Sequence, residues 1–230
     1  MNDTPYILHY APDNASMIIR IALEEIRAPY VTRLVDRHRG GQNAPDYLAL
    51  NPAGKIPVLE TRDGALFETG AILLWLADRH GGLGPAPTAP GRGDMLKWLF
   101  FLSNTLHPAL RMLFYPGSYA GARAADQERL RAQVRDAILC HLRLLDANWR
   151  QSEHPCISDI YLAPMLRWLR LYPADQDAGW FDLTAFPALH SMAQALETRP
   201  SVIATQAAEG LGPHPFTAPR APCPPEGSPT

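Results

Sequence analysis

The fold of this chain is decided by residues 51–72, which read NPAGKIPVLETRDGALFETGAI. Two short apolar runs, at 56–61 and 65–68, are separated by Arg62-Asp63-Gly64. Because an Asp-Gly pair between such runs is typical of a two-residue turn, they predict a tight β-hairpin. Residues 69–79 then follow a helical pattern. The stretch therefore predicts a strand, a turn, a second strand and a helix.

The residues before this stretch predict a parallel unit. Residues 6–10 and 30–35 have strand patterns, and residues 16–26 between them have a helical one. A βαβ unit followed by a ββα unit predicts a small thioredoxin-like sheet with helices on both faces, and thus an α/β domain over residues 1–80.

The second half of the chain has a different residue pattern. Residues 81–93 read GGLGPAPTAPGRG and predict a linker, which we place at 81–91. Beyond it we find no strand pattern, and apolar residues recur every three or four positions between 130 and 149. We predict an all-α domain over 92–211, with helices that include 94–113, 157–171 and 186–197. Residues 212–230 hold seven prolines and predict an extended appendage, mobile or lying on the surface.

Composition excludes several functional classes. The chain has 230 residues, 47% of them apolar, but no run of about 18 apolar residues that predicts a membrane span. Its formal net charge of −2 offers no basic field for nucleic acid. The three cysteines form no metal-ligand spacing, so we expect no metal site and a reducing compartment. The first residues lack a secretion signal, which predicts a cytoplasmic protein.

The string NPAGKIPVL at 51–59, together with FETGAI at 67–72, resembles the glutathione transferase family. The resemblance extends to about Leu211 and is closest to bacterial beta-type members. It implies a thioredoxin-like domain followed by a helical bundle, assembly as a homodimer, and glutathione as co-substrate. The implied reaction adds the glutathione thiolate to a small hydrophobic electrophile. Two alternatives stay open: glutathione-dependent disulfide or peroxide reduction or ether cleavage, and a glutathione-binding protein without turnover.

The resemblance also implies a set of site residues. The glutathione-binding ones are Lys55, Ile56, Pro57, Val58, Glu68, Thr69, Arg39 and His107, and those near the electrophile are Met112, Phe114 and Tyr115. A cis bond at Pro57 would turn the main chain of Val58 outward to the cysteinyl part of glutathione. Glu68 would pair with the ammonium group, and Thr69 at a helix start with the γ-glutamyl carboxylate. His107 would reach the cleft as a cation or an N–H donor. For Arg39, a solvated charge run with Arg37 and His38 is the alternative.

Sulfur activation depends on the loop APDNASM at residues 11–17, because a thiol must lose its proton to become a good nucleophile. Ala15 stands where beta-type enzymes carry a cysteine, so no cysteine nucleophile is expected. The hydrogen-bond donor to sulfur is then either Ser16, which we prefer, or Asn14. A simple helix-capping role for Ser16 is the alternative. Because the carboxylate of Asp13 would repel a thiolate, we expect it to point to solvent.

Overall fold

The computed structural model describes residues 5–149 and 154–229. Its first part contains β1 (Tyr6–Tyr10), α1 (Ser16–Glu25), β2 (Tyr30–Leu34), a 3₁₀ turn (Gly41–Asn43), α2 (Pro45–Leu50), β3 (Val58–Thr61), β4 (Gly64–Phe67) and α3 (Thr69–His80). Every predicted element of this half is present within about two residues of its expected ends. The Asp-Gly turn joins β3 to β4, and Thr61 faces Gly64 across it.

The four strands form one sheet in the order β2-β1-β3-β4, parallel between β1 and β2 and antiparallel elsewhere. Tyr10 pairs with Leu34, His9 with Val58, and Val58 with Phe67. The chain therefore leaves β1, β2 and β4, and enters β3, at the same end of the sheet. We call this end the loop end. Helix α2 packs on one face through Tyr47, and α1 and α3 pack on the other, which confirms the thioredoxin-like arrangement.

The second part contains helices and no strand among its described residues, as the sequence predicts. It contains α4 (Arg92–Phe101), a π-helical turn (Leu102–Leu106), α5 (His107–Phe114), α6 (Gly117–Ala120), α7 (Ala124–Asn148), α8 (Ile157–Leu171), a 3₁₀ turn (Leu183–Ala185), α9 (Pro187–Glu197) and α10 (Pro200–Glu209). The π-helical turn lies just before Pro108, which lacks an N–H and crowds the preceding turn. Helix α10 lies beyond the last helix expected from the sequence, which ends at residue 197.

The core of the molecule is centred on α8, whose residues from Ile157 to Leu169 are all buried. Helix α8 packs against α1, α4 and α9, so it contacts both halves of the chain. No helix among the described residues is long and apolar enough to cross a membrane.

The Pro-rich tail also reaches the core, which corrects the expectation that it is only an appendage. Phe216 is 1% exposed and belongs to the main apolar cluster. The N–H groups of Phe216 and Thr217 each donate to the carboxylate of Glu197 at 2.7 Å. The amount of proline misled the prediction, because proline excludes helix and inner strand but not burial of an extended segment.

Candidate functional site

The segments of the first domain that contain the expected site residues lie together at the loop end of the sheet. The β1–α1 loop starts after Tyr10, residues 35–40 follow β2, the loop 51–57 precedes β3, and Glu68 follows β4. The register of the strands brings these segments side by side, although they are up to 57 residues apart in the chain.

Within residues 11–16, only Asn14 is partly exposed, and the others are buried. Ser16 is 0% exposed; its hydroxyl donates to the carbonyl of Ala11 at 3.0 Å and accepts the N–H of Ala11 at 3.2 Å. This hydroxyl joins the end of the loop to its beginning, and its hydrogen is already donated to a carbonyl of the protein. The geometry favours Asn14 over Ser16 as a sulfur donor, because Asn14 is partly exposed and the hydrogen bond of its amide to the carbonyl of Pro229 is long at 3.4 Å.

Asp13 does not point to solvent, and that expectation was wrong. Its carboxylate is buried and accepts two hydrogen bonds from Arg167, at 2.9 and 3.0 Å. Trp168 Nε1 and the hydroxyl of Tyr172 donate to the same carboxylate at 2.9 and 2.8 Å. With its charge paired by a guanidinium and its oxygens occupied, Asp13 turns into the protein and does not confront a thiolate.

Asn51 shapes the loop before β3. Its side chain donates to the carbonyl of Lys55 at 2.8 Å and accepts the N–H of Ala53 at 3.0 Å. The hydroxyl of Tyr47 donates to the same Lys55 carbonyl at 2.6 Å, so the loop is fixed from two sides. The Ile56–Pro57 peptide bond is cis, as the resemblance implies.

The outward-facing role assigned to Val58 is not what the sheet shows. Val58 is fully buried and has a strand on each side, with His9 and Phe67 directly opposite. In a strand, the N–H and C=O of one residue point to one side, so those of Val58 point to a neighbouring strand. Ile56, ahead of Pro57, is outside the strand and partly buried at the loop end.

Glu68 and Thr69 mark the start of α3. Glu68 adopts a positive φ of 70° and is exposed, whereas Thr69 is buried in the first turn. Burial mainly, and the charge of Glu68 in addition, raise the pKa of Tyr161 on α8. A carboxylate beside the free N–H groups of a helix start can bind both ends of an amino acid.

His107, at the start of α5, contacts Tyr161 of α8 and is neutral at pH 7. Its Nδ1 is 3.0 Å from the Tyr161 hydroxyl, and its ring lies 5.9 Å from that of Trp168. Burial, with a smaller effect of Arg111, lowers the pKa of His107 to about 4. Of the two expected forms of His107, a cation or an N–H donor, the lowered pKa disfavours the cation at neutral pH, and the imidazole shares a hydrogen bond with Tyr161.

The basic residues after β2 separate into two environments. Arg39 is exposed and pairs with Asp36 at 3.4 Å, in agreement with a solvated charge run. Arg37 is partly buried and donates to the hydroxyl of Tyr115 at 3.2 Å, which joins the loop end to the end of α5. The sequence analysis placed Arg39 in the site, but Arg37 is the arginine that faces the second domain.

The three residues expected near an electrophile lie at the end of α5. Tyr115 is exposed beside Arg37, and the ring of Phe114 meets that of Tyr172 edge-on at 6.3 Å. Met112 is partly buried against the main apolar cluster. Tyr115 thus faces the loop end, and Phe114 is tied to the same Tyr172 that bonds Asp13.

The end of the Pro-rich tail lies against the loop end of the sheet. The carbonyl of Pro229 accepts hydrogen bonds from the Asn14 amide, at 3.4 Å, and from Arg37. Glu226 accepts a hydrogen bond from the Tyr10 hydroxyl. We call residues 225–229 the strap, because they cross the loop end from Tyr10 to Arg37.

Several of these partners were missed in the sequence, namely Arg167, Tyr161 and Tyr172. One signal was available: Arg167 interrupts the apolar run YLAPMLRWL at 161–169, and a charge inside a buried helix needs a partner. No group of three or more His, Cys, Asp or Glu side chains that could hold a metal occurs in residues 5–149 and 154–229.

Taken together, the mixed four-stranded sheet, the cis-proline loop and the helical second domain define a thioredoxin-like protein with an added helical domain. A family model described as "Glutathione S-transferase, N-terminal domain" matches residues 15–79. The chain is 32% identical over 212 residues to glutathione S-transferase GST-4.5 of Xanthomonas campestris pv. campestris, covering 89% of this chain and 98% of that relative.

Two further proteins are similar to this chain over most of its length. The disulfide-bond oxidoreductase YfcG of Escherichia coli is 30% identical over 204 residues, covering 84% of this chain and 91% of its own. A solved sphingomonad glutathione S-transferase complexed with glutathione has a TM-score of 0.74 and 33% identity, and covers 90% of this chain and 100% of its own. The chain belongs to the glutathione S-transferase family, which confirms the expected fold class and enzyme class.

Proposed function

We propose that the protein binds glutathione at the loop end of the sheet, lowers the pKa of its thiol and adds the thiolate to a small hydrophobic electrophile. The thiol proton leaves to solvent, and the sulfur then forms a bond to an electrophilic carbon. With 1-chloro-2,4-dinitrobenzene as electrophile, a C–S bond forms and chloride departs. Glutathione in the sphingomonad relative supports the choice of ligand.

The observation that carries the proposal is that Asn14 is the partly exposed donor in an otherwise buried loop, where its amide makes a long hydrogen bond of 3.4 Å to the Pro229 carbonyl. A donor amide at the start of α1 stabilises the thiolate together with the N–H groups of that helix start. The buried Ser16 hydroxyl, already bonded to Ala11, serves the loop. Ile56, ahead of Pro57, takes the main-chain role that the sequence analysis gave to Val58.

The test compares Asn14→Ala with Ser16→Ala. Asn14→Ala should raise the pKa of bound glutathione and lower kcat ten- to a hundredfold, or about 1.4 to 2.8 kcal/mol. Ser16→Ala should mainly lower stability, by about 1 kcal/mol for a lost buried hydrogen bond. Thiolate absorbance against pH and thermal unfolding measure the two effects. If Ser16→Ala raises the thiol pKa and Asn14→Ala does not, the donor is Ser16.

The γ-glutamyl end of glutathione is proposed to bind at Glu68 and Thr69. Glu68→Gln keeps the shape of the side chain and removes the charge that pairs with the ammonium group. Because Glu68 is exposed before binding, the expected loss in affinity is about tenfold, in the lower range for a charged hydrogen bond. Calorimetry with glutathione measures it, with Glu128→Gln on the exposed side of α7 as control. Equal affinities of Glu68→Gln and wild type would contradict this placement.

A homodimer and a cytoplasmic location complete the proposal. Phe67 on the edge strand β4 and Phe100 on α4 are 40% and 52% exposed, which supports a second copy as partner. Three unpaired cysteines, Cys140, Cys156 and Cys223, support a reducing compartment. Sedimentation equilibrium of wild type and of Phe100→Glu tests the dimer: the wild type should have twice the mass of the chain, and the variant should dissociate.

A further inference from the structure

Asp13 stands out in the loop because its backbone and its side chain are both constrained. Its φ of 52° lies in the left-handed region, which a residue with a Cβ rarely adopts. Such a conformation persists only where the surrounding structure holds it in place. Asp13 directly precedes Asn14, so its backbone angles set where residue 14 leaves the loop; from there the Asn14 amide reaches the Pro229 carbonyl at 3.4 Å.

The structure that holds Asp13 comes entirely from the second half of the chain. Arg167, Trp168 and Tyr172, in or just after α8, donate four hydrogen bonds of 2.8–3.0 Å to its carboxylate. Its N–H donates to Glu209 at the end of α10, at 2.8 Å.

The partners of Asp13 are themselves fixed. Glu209 is fully buried and also accepts a hydrogen bond from Arg20 of α1 at 2.9 Å. Arg167 is fully buried and donates through its remaining N–H groups to the carbonyls of Pro215 and Arg220, at 3.1 and 2.9 Å. Rotation of residue 13 would leave buried charges without partners, which is strongly unfavourable.

We propose that Asp13 is a positioning residue for sulfur activation: the second domain holds the Asp13 carboxylate and so sets the direction of the Asn14 amide at the thiol. The proposal rests on the proposed function, since it requires that Asn14 acts on bound glutathione. Asp13 itself does not touch the sulfur.

The experiment uses the full-length protein with glutathione and 1-chloro-2,4-dinitrobenzene. Tyr172→Phe removes one of the four hydrogen bonds and keeps the ring that packs on Phe114. Asp13→Asn keeps the size of the side chain but cannot accept from all four donors. Thr205→Val is the matched control, because it removes a buried hydrogen bond to Ser201 in α10 that lies outside this network.

Asp13→Asn should raise the pKa of bound glutathione by about 1 and lower kcat about tenfold at neutral pH, since one pKa unit is a tenfold change in the ratio of thiolate to thiol. Tyr172→Phe should change both in the same direction, by about threefold in kcat. KM for glutathione should stay within about twofold in both variants, because uniform binding is not altered. Thr205→Val should lower the melting temperature alone.

The outcomes separate this proposal from the proposed function. If Asn14→Ala raises the thiol pKa but Tyr172→Phe and Asp13→Asn do not, the positioning role is wrong and the proposed function stands. If wild-type protein binds glutathione with an unshifted thiol pKa, both are wrong. If Asp13→Asn fails to fold, Tyr172→Phe decides: an unchanged pH profile of kcat overturns the proposal, and a shifted one supports it.

Discussion

The burial of Phe216 gives the sharpest test of how the tail contributes to the fold. Phe216 is 1% exposed, and Glu197 and Arg167 bind the backbone on either side of it. Phe216→Ala removes a buried aromatic ring from a segment that is bonded too tightly to collapse into the space. The expected loss of unfolding free energy is about 3 to 5 kcal/mol.

That loss is a large share of the stability of an ordinary domain, which is about 5 to 15 kcal/mol. For a chain of this size it should lower the melting temperature by roughly 10 °C. Urea unfolding followed by circular dichroism measures the free energy directly. Ile203→Ala, on the exposed face of α10 and 53% exposed, is the control and should change the unfolding free energy by less than about 0.5 kcal/mol. A loss below about 1 kcal/mol for Phe216→Ala would refute the claim that the tail is part of the core.

Two other predictions concern the strap and His107. Deleting residues 225–230 frees Asn14 and Arg37 from the Pro229 carbonyl. Calorimetry should then show about fivefold tighter binding of glutathione, which corresponds to about one net hydrogen bond, and the melting temperature should change little. Weaker binding would mean that the strap supports the ligand. The pKa of His107 is lowered to about 4 in the folded protein, so the folded state binds fewer protons than the unfolded state between pH 4 and 6.5. The contribution of neutral His107 to stability is therefore present above pH 6.5 and is lost as the pH falls toward 4. Urea midpoints at pH 7 and pH 4.5 should differ less in His107→Asn than in wild type, and equal differences would contradict the assigned pKa.

The first domain was predictable because its signals are local. The Asp63-Gly64 turn and the apolar alternation around it determine β3 and β4 within a few residues of sequence. The family string at 51–59 added the cis bond at Pro57, which local propensity alone does not provide. The positions of Glu68 and Thr69 at the start of α3 followed from the same stretch.

The candidate site was less predictable because its contacts are distant in sequence. Asp13 and Arg167 are 154 residues apart, and nothing near Asp13 indicates a buried partner. Ser16 was preferred to Asn14 by type, but only the fold decides which of the two is buried. Phe216 is the single large apolar residue in 212–230, and this was the signal in the tail that the proline content obscured.

The link between Asp13 and Arg167 has a consequence for how this protein can be recombined with its relatives. The linker at 81–91 looks like a natural crossover point for chimeras, yet both partners of a fully buried ion pair lie on opposite sides of it. A hybrid that inherits only one of them carries a buried charge without a counter-ion, which typically costs about 3 to 5 kcal/mol. Exchange of the helical half is therefore expected to succeed only between parents that match at residues 13 and 167.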